Sequence, residues 1–104
     1  MIFDVRTYDI APGRLKEFVE VWGKYAKPVA DRHGLELVGF FTSRIGRLNQ
    51  VLIVWKYDDL ADFEKSRAKR DADPGWSEYR RQYGNMIVRQ EDKIMEGAPF
   101  SPLR

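Results

Sequence analysis

The chain has 104 residues, 43% of them apolar and 33% charged, so it is long enough for one packed domain and too apolar for a disordered protein. Its 18 basic and 16 acidic residues are interspersed and leave a net charge of +2, which disfavours a nucleic-acid partner. The absence of cysteine excludes disulfides, thiolate nucleophiles and cysteine-based zinc sites, and no apolar run is long enough to span a bilayer. We therefore expect a cytoplasmic protein without membrane insertion.

The chain begins with a predicted strand and a helix. Residues 2–10 alternate between an aliphatic face and a face with functional groups: Phe3, Val5 and Thr7 against Asp4, Arg6 and Tyr8. Pro12 and Gly13 end this strand, and apolar residues then recur at helical spacing. Pro28 lacks a backbone donor and predicts a kink late in the helix, which Gly34 should end.

A hairpin is predicted in the middle of the chain. Residues 35–45 are rich in Val, Phe and Thr, and residues 46–49 form a short turn into a third strand over residues 50–57. The centre of that strand, residues 51–54, is apolar on both faces. It should therefore lie inside the sheet rather than at an edge.

A second helical region and an edge strand follow. Asp58 or Asp59 can cap a helix, and the basic stretch at residues 65–70 is predicted to be its solvated face. Aromatic residues at intervals of three and four indicate a further short helix: Trp76, Tyr79 and Tyr83.

The last strand runs from Met86 to about Met95, and its many charges suit an edge of the sheet. We assign one domain to residues 1–96 and expect an extended tail over residues 97–104, which contain two prolines and no periodicity.

The order β-α-β-β-α-β predicts a ferredoxin-like α+β fold, in which two helices cover one face of a four-stranded antiparallel sheet. We expect the helices to cover the aliphatic set, Phe3, Val5, Leu52 and Val54. The opposite face would then carry Asp4, Arg6, Tyr8, Val51, Ile53, Trp55 and Tyr57. Because such a surface is too apolar for a monomer in water, we predict a homodimer whose sheets pack face to face around a cavity.

Several motifs resemble the NIPSNAP family, in its order, over about residues 2–95. The most specific is Gly46-x-Leu48-Asn49-Gln50-Val51 followed by Trp55-x-Tyr57. Supporting motifs are Asp4-x-Arg6-x-Tyr8, Pro12-Gly13, Leu37-Val38-Gly39-Phe40-Phe41 and Asp73-Pro74-x-Trp76. The resemblance implies a dimeric α+β barrel, in a superfamily that also holds antibiotic-biosynthesis-type monooxygenases and haem-degrading oxygenases. It implies no settled reaction. Many relatives place His where this chain has Ile53, which speaks against an imidazole acid or base on the sheet.

Five residues are candidates for a ligand-binding cleft between the sheets: Arg6, Tyr8, Asn49, Trp55 and Tyr57. An inward guanidinium at Arg6 must be paired, either with Asp4 or an acid of the partner chain, or with a bound anion. The three aromatic residues would either pack in the dimer core or form a wall with polar tips around a ligand. Asn49 would either adopt left-handed turn geometry or line the mouth of the cleft.

No metal or cofactor site is expected. His33 is the only histidine, and its place near a helix C-terminus explains it electrostatically. No metal cluster, phosphate-binding loop or nucleophile triad is visible in the sequence.

Three functions remain open at this point. The first is binding of a small, anionic and aromatic ligand in the cleft, with cofactor-free oxygenase or isomerase chemistry. The second is a dimeric interaction module without catalysis. The third, RNA binding, shares the order of elements but would need stacking aromatic residues where residues 50–57 are aliphatic. The sequence does not decide whether any reaction is catalysed.

Overall fold

The chain forms one four-stranded antiparallel sheet, with helices packed on one side of it. In this computed structural model, which describes residues 1–104, the strands have the order β2-β3-β1-β4. Their bounds are β1 Ile2–Ile10, β2 Glu36–Thr42, β3 Gln50–Tyr57 and β4 Ile87–Met95. The two apolar strands β1 and β3 are central, and the charged β4 is an edge strand. This arrangement confirms the predicted ferredoxin-like α+β fold.

The helices fall into two groups along the chain. The first comprises α1 (Leu15–Val21), a π-helical turn (Trp22–Ala26) and α2 (Lys27–Arg32), and the second comprises α3 (Leu60–Ala72) and α4 (Pro74–Tyr83). None of them combines the length and apolar character needed to cross a bilayer.

The break predicted near Pro28 takes the form of the π-helical turn that precedes it. The backbone N–H of Lys27 bonds back to the carbonyl of Trp22, five residues earlier, which widens the helix at this point. Pro28 then lies in the first turn of α2, where a missing N–H is tolerated.

The helices cover the sheet face opposite to the predicted one. Val51 and Ile53 are at most 1% exposed, and the ring of Tyr8 meets Phe18 of α1 edge-on at 6.1 Å. Trp55 packs against Trp22, and Tyr57 packs against Phe63 of α3. The prediction that Phe3, Val5, Leu52 and Val54 face the helices is therefore wrong. The larger, aromatic set buries more apolar area against the helices, and its charged members are neutralised within the chain.

The helices do not cover the other face of the sheet. Phe3 is buried outside the main core, whereas Leu52 is 36% and the neighbouring Phe41 58% exposed. The ring of Phe41 lies across Gly39, where an added Cβ would come within 2.5 Å of it. We call this surface the open face and define it by its apolar residues, Phe3, Val5, Gly39, Phe41, Leu52 and Val54.

Candidate functional site

A small cavity lies between the sheet and the second helical group. Its volume is about 100 Å³. Arginine and aromatic side chains dominate its lining: Arg6, Tyr8, Arg67, Arg70, Trp76, Tyr79, Arg80, Tyr83, Ile87 and Gln90. We refer to it as the arginine cavity.

Arg6 is held at the sheet side of the cavity by three partners. Its Nε donates to Asp4 Oδ2, its Nη2 to Asp92 Oδ2 and its Nη1 to the Tyr8 hydroxyl, each at 3.0 Å. The side chain is 11% exposed. The sequence allowed Arg6 to pair either with a carboxylate of the protein or with a bound anion. In the structure it pairs with Asp4, as one alternative predicted, and also with Asp92 of β4.

Asp4 and Asp92 form an unusual acidic pair around this guanidinium. Asp4 is fully buried and its Oδ1 has no hydrogen-bond partner, and both carboxyl groups pair with the Arg6 guanidinium at 3.0 Å. Burial and the nearby Asp4 carboxylate raise the pKa of Asp92 to about 6, against the opposing effect of Arg6 and of Arg67 at 3.8 Å. Asp92 therefore gains and loses its proton near pH 6.

Arg70 enters the cavity from the end of α3. The residue is 3% exposed, and its guanidinium carbon lies 4.1 Å from the centre of the Trp76 ring, in cation–π geometry. Its Nε and Nη2 both donate to a single oxygen of Asp71, whose side chain is 45% exposed. Burial lowers the pKa of Arg70, in opposition to the hydrogen bond with Asp71. This guanidinium is thus largely removed from water, and its Nε and Nη2 share a single carboxylate oxygen as their acceptor.

The cavity carries a surplus of positive charge and of donors. Four arginines line it, and only Asp4, Asp92 and Asp71 pair with them. The buried indole Nε1–H of Trp76 has no acceptor. Burial also raises the pKa of Tyr79, so its hydroxyl stays protonated. These groups favour a negatively charged, hydrogen-bond-accepting ligand.

The five residues predicted to share a cleft do not lie together. Arg6 and Tyr8 line the arginine cavity, but Trp55 and Tyr57 are 4% exposed and belong to the core beneath the helices. Asn49 lies in the β2–β3 turn with φ of 62°, and its carbonyl accepts from Ile10 N at 2.8 Å. Asn49 therefore has the left-handed turn geometry that the sequence allowed for it.

Arg67 and Arg70 line the cavity, so the prediction that residues 65–70 form a solvated helix face is wrong for them. Arg67 is only half-exposed and Arg70 is buried. With Phe63, which packs on the core, they recur at intervals of four and three along α3. That spacing, continued from an apolar residue, was the signal that the inner face of the helix extends to these arginines.

His33 and Asp73 join the two helical groups away from the cavity. Asp73 caps α4 by accepting from Gly75 N at 2.8 Å, and it also accepts from Nε and Nη2 of Arg32. His33 Nε2 lies 2.9 Å from Asp73 Oδ2. Arg32 first, and then the Gly75 N–H and His33, hold the pKa of Asp73 well below its usual range.

Replacing Asp73 by asparagine should lower the melting temperature in a pH-dependent way. The depressed pKa means that this stabilisation is present above the pKa of an unfolded aspartate, about 4, and is lost as the pH falls through the folded-state value. The difference between wild type and Asp73→Asn should be largest near pH 7 and should shrink at acidic pH. Thermal scans from pH 7 to pH 2 measure it, with exposed Asp58→Asn as the control. A pH-independent difference would contradict the electrostatic account.

Another depression, of about 160 Å³, lies on the open face and lacks apolar lining. Its Asp9 already accepts from Arg47 at 3.0 Å and from Gln50 at 3.2 Å. No group of three or more His, Asp or Glu side chains converges as a metal site requires. The arginine cavity, with its unpaired donors, is the stronger ligand site.

Comparison with solved structures gives near-identical folds. A NIPSNAP family protein of Agrobacterium tumefaciens superposes with a TM-score of 0.93 at 34% identity, covering 100% of this chain and 94% of that one. A NIPSNAP-like domain protein of Burkholderia xenovorans gives 0.89 at 35% identity, covering 99% and 90%. An antibiotic-biosynthesis-monooxygenase-like protein of Nitrosomonas europaea gives 0.72 at 11% identity, covering 93% and 98%, and shares the fold alone.

Comparison with known sequences also finds NIPSNAP proteins. The chain is 35% identical to Protein NipSnap homolog 2 of Danio rerio and 33% identical to the human protein of that name. These matches cover 99% of this chain but 35% of each relative, so the chain spans about a third of their length. The NIPSNAP family model matches residues 3–102. The chain therefore belongs to the NIPSNAP family.

Proposed function

We propose that the protein binds a small organic anion in the arginine cavity. The observation that carries this proposal is Arg70, a buried guanidinium stacked on Trp76 and paired with one oxygen of a half-exposed carboxylate. A ligand carboxylate would supply the acceptor that the Trp76 indole N–H lacks within the chain, and it would give Arg70 a second acceptor beside Asp71.

The volume of the cavity limits the ligand. A dry cavity of about 150 Å³ holds one benzene molecule. The arginine cavity, at about 100 Å³, is too small to enclose a substituted aromatic ring, but it suits a carboxylate with a short carbon chain. The ligand is thus a small organic acid rather than the anionic, aromatic compound expected for a cleft between sheets.

Binding of pyruvate, followed by tryptophan fluorescence, tests the proposal because Trp76 lines the cavity. Arg70→Ala should weaken pyruvate binding by about 10- to 100-fold, since a hydrogen bond to a charged group contributes about 1.5–3 kcal/mol. Neutral pyruvamide should bind far more weakly than pyruvate. The matched control is Arg81→Ala, because Arg81 pairs with Glu78 outside the cavity. Equal pyruvate affinity of wild type and Arg70→Ala would contradict the proposal.

The open face supports a homodimer as a second part of the proposal. Phe41 and Leu52 are adjacent on two strands and exposed by 58% and 36%. Packing this face against that of a second copy would remove its apolar side chains from water on both chains. The dimer interface is then the aliphatic face of the sheet, and the ligand lies on the other side of the same sheet. A dimer without catalysis is the alternative function.

A further inference from the structure

We propose that Asp92, paired with Asp4, transfers a proton to and from the carbon next to the carbonyl group of a small 2-oxo acid held in the arginine cavity. This proposal rests on the proposed function and gives the cavity a reaction class, keto–enol isomerisation. Two observations carry it: one buried guanidinium joins the two carboxyl groups, and one carboxyl oxygen of Asp4 has no partner.

The unpaired oxygen of Asp4 places negative charge beside Asp92. Asp4 is 0% exposed and accepts from Arg6 through Oδ2 only, which leaves Oδ1 buried without a donor. Asp92 Oδ2 accepts from Nη2 of the same guanidinium at 3.0 Å, so the two carboxyl groups are neighbours on adjacent strands. An unpaired buried carboxylate oxygen is costly, and the negative charge of Asp4 beside Asp92 favours the protonated form of Asp92.

Asp92 lies next to the residues that line the cavity and is partly exposed, whereas Asp4 is fully buried. Its side chain is 38% exposed on the edge strand β4, beside Arg6 and Arg67, which both line the cavity. Gln90, two residues away on the same face of β4, lines the cavity as well. The pair therefore lies at the rim, with the buried carboxyl group behind the accessible one.

The proton transfer balances without any co-reactant. The Asp92 carboxylate takes a proton from the carbon beside the ketone, and the electron pair of that C–H bond becomes the new C=C bond. The carbonyl π electrons move onto oxygen, and the resulting enolate charge lies beside the guanidinium groups of Arg6 and Arg67. The Asp92 carboxyl group then returns a proton to the same carbon, or the enolate oxygen takes one to release the enol.

The electrostatic setting suits this role. The charged groups that face Asp92 are Asp4 and Arg6 of β1 and Arg67 of α3. Burial and Asp4 raise the pKa of Asp92 to about 6, and a base with a pKa near the working pH combines availability with strength. Exchange should thus accelerate as the pH rises through about 6, where Asp92 loses its proton.

The test is hydrogen–deuterium exchange at the methyl group of pyruvate in D₂O, followed by proton NMR. Wild type should exchange the methyl protons at least 100-fold faster than Asp92→Asn, in line with the usual contribution of a general base. Asp92→Asn should still bind pyruvate by tryptophan fluorescence. Glu91→Gln, one residue away on the other face of β4, should behave as wild type.

The outcomes separate the two proposals. Saturable pyruvate binding with equal exchange by wild type and Asp92→Asn would overturn the proton-transfer role and leave the ligand site intact. No saturable binding to wild type would overturn both. Infrared spectroscopy adds a readout that needs no ligand: wild type should show a protonated carboxyl band that titrates near pH 6 and is absent from Asp92→Asn. Its presence in the variant would also overturn the assignment.

Discussion

Replacing Arg6 by methionine is expected to lower the free energy of unfolding by about 3–5 kcal/mol. The loss of the attraction between Arg6 and Asp4 is only part of the reason. Asp4 is fully buried, and Arg6 is the only group that donates to it. Removing the guanidinium leaves a buried carboxylate without a cation, next to a second carboxylate on β4. Urea unfolding followed by circular dichroism measures the change.

Two controls separate this effect from a general loss of arginine. The double variant Asp4→Asn, Arg6→Met removes both buried charges and should regain most of the lost stability, because replacing both members of a buried pair is often neutral. Arg81→Met removes an exposed ion-pair partner and should leave the unfolding midpoint nearly unchanged. A double variant as unstable as Arg6→Met would show that Arg6 acts through packing of its side chain instead.

The topology could be predicted because it depends on local patterns. Alternation in residues 2–10, a doubly apolar strand at residues 50–57 and turn residues at Gly34 and Asn49 specify strands, helices and their order. These patterns also decide which residues share a face of the sheet. They do not decide which face the helices cover, since that depends on the summed area of contacts between distant segments.

The prediction of the covered face is wrong because buried apolar area, rather than charge, decides which face the helices cover. Asp4 and Arg6 suggested a functional surface, but their charges compensate one another within the strand and leave the set free to be buried. The residues at the ends of the strands indicate more clearly which face is buried. The face with Phe3 and Val54 continues into Asp9 and Lys56, whereas the other continues into Ile2 and Ile10.

The arginine cavity could not be predicted from the sequence, because contacts between distant residues form it. Arg6 bonds to Asp92, 86 residues away, and Arg70 meets Trp76 across the turn between α3 and α4. No local pattern encodes the first contact, because it requires β4 to pair with β1 in one register. The short aromatic helix was predicted, but its orientation toward the sheet was not.

Replacing Leu52 by glutamate should convert the proposed homodimer to a monomer. In the proposed dimer Leu52 lies near the centre of the open face, directly opposite Thr7 on one side and Phe41 on the other. Association would then bury two new carboxylates without partners, which should weaken the dimer by at least about 100-fold. Sedimentation velocity should give twice the chain mass of 12.2 kDa for wild type and a single chain mass for the variant.

The fold should tolerate this change, which makes the test specific to assembly. Leu52 is already 36% exposed in the single chain, so a glutamate there can keep its carboxylate in water. Far-ultraviolet circular dichroism of Leu52→Glu should match wild type.

The matched control is Leu60→Glu on α3, where the leucine is 58% exposed but lies away from the open face, and this variant should stay dimeric. A dimeric Leu52→Glu would exclude the open face as the interface, and dissociation by Leu60→Glu would place the interface on the helices. In that case the apolar open face would need a different partner, and the arginine cavity beneath the helices would lie close to the second chain.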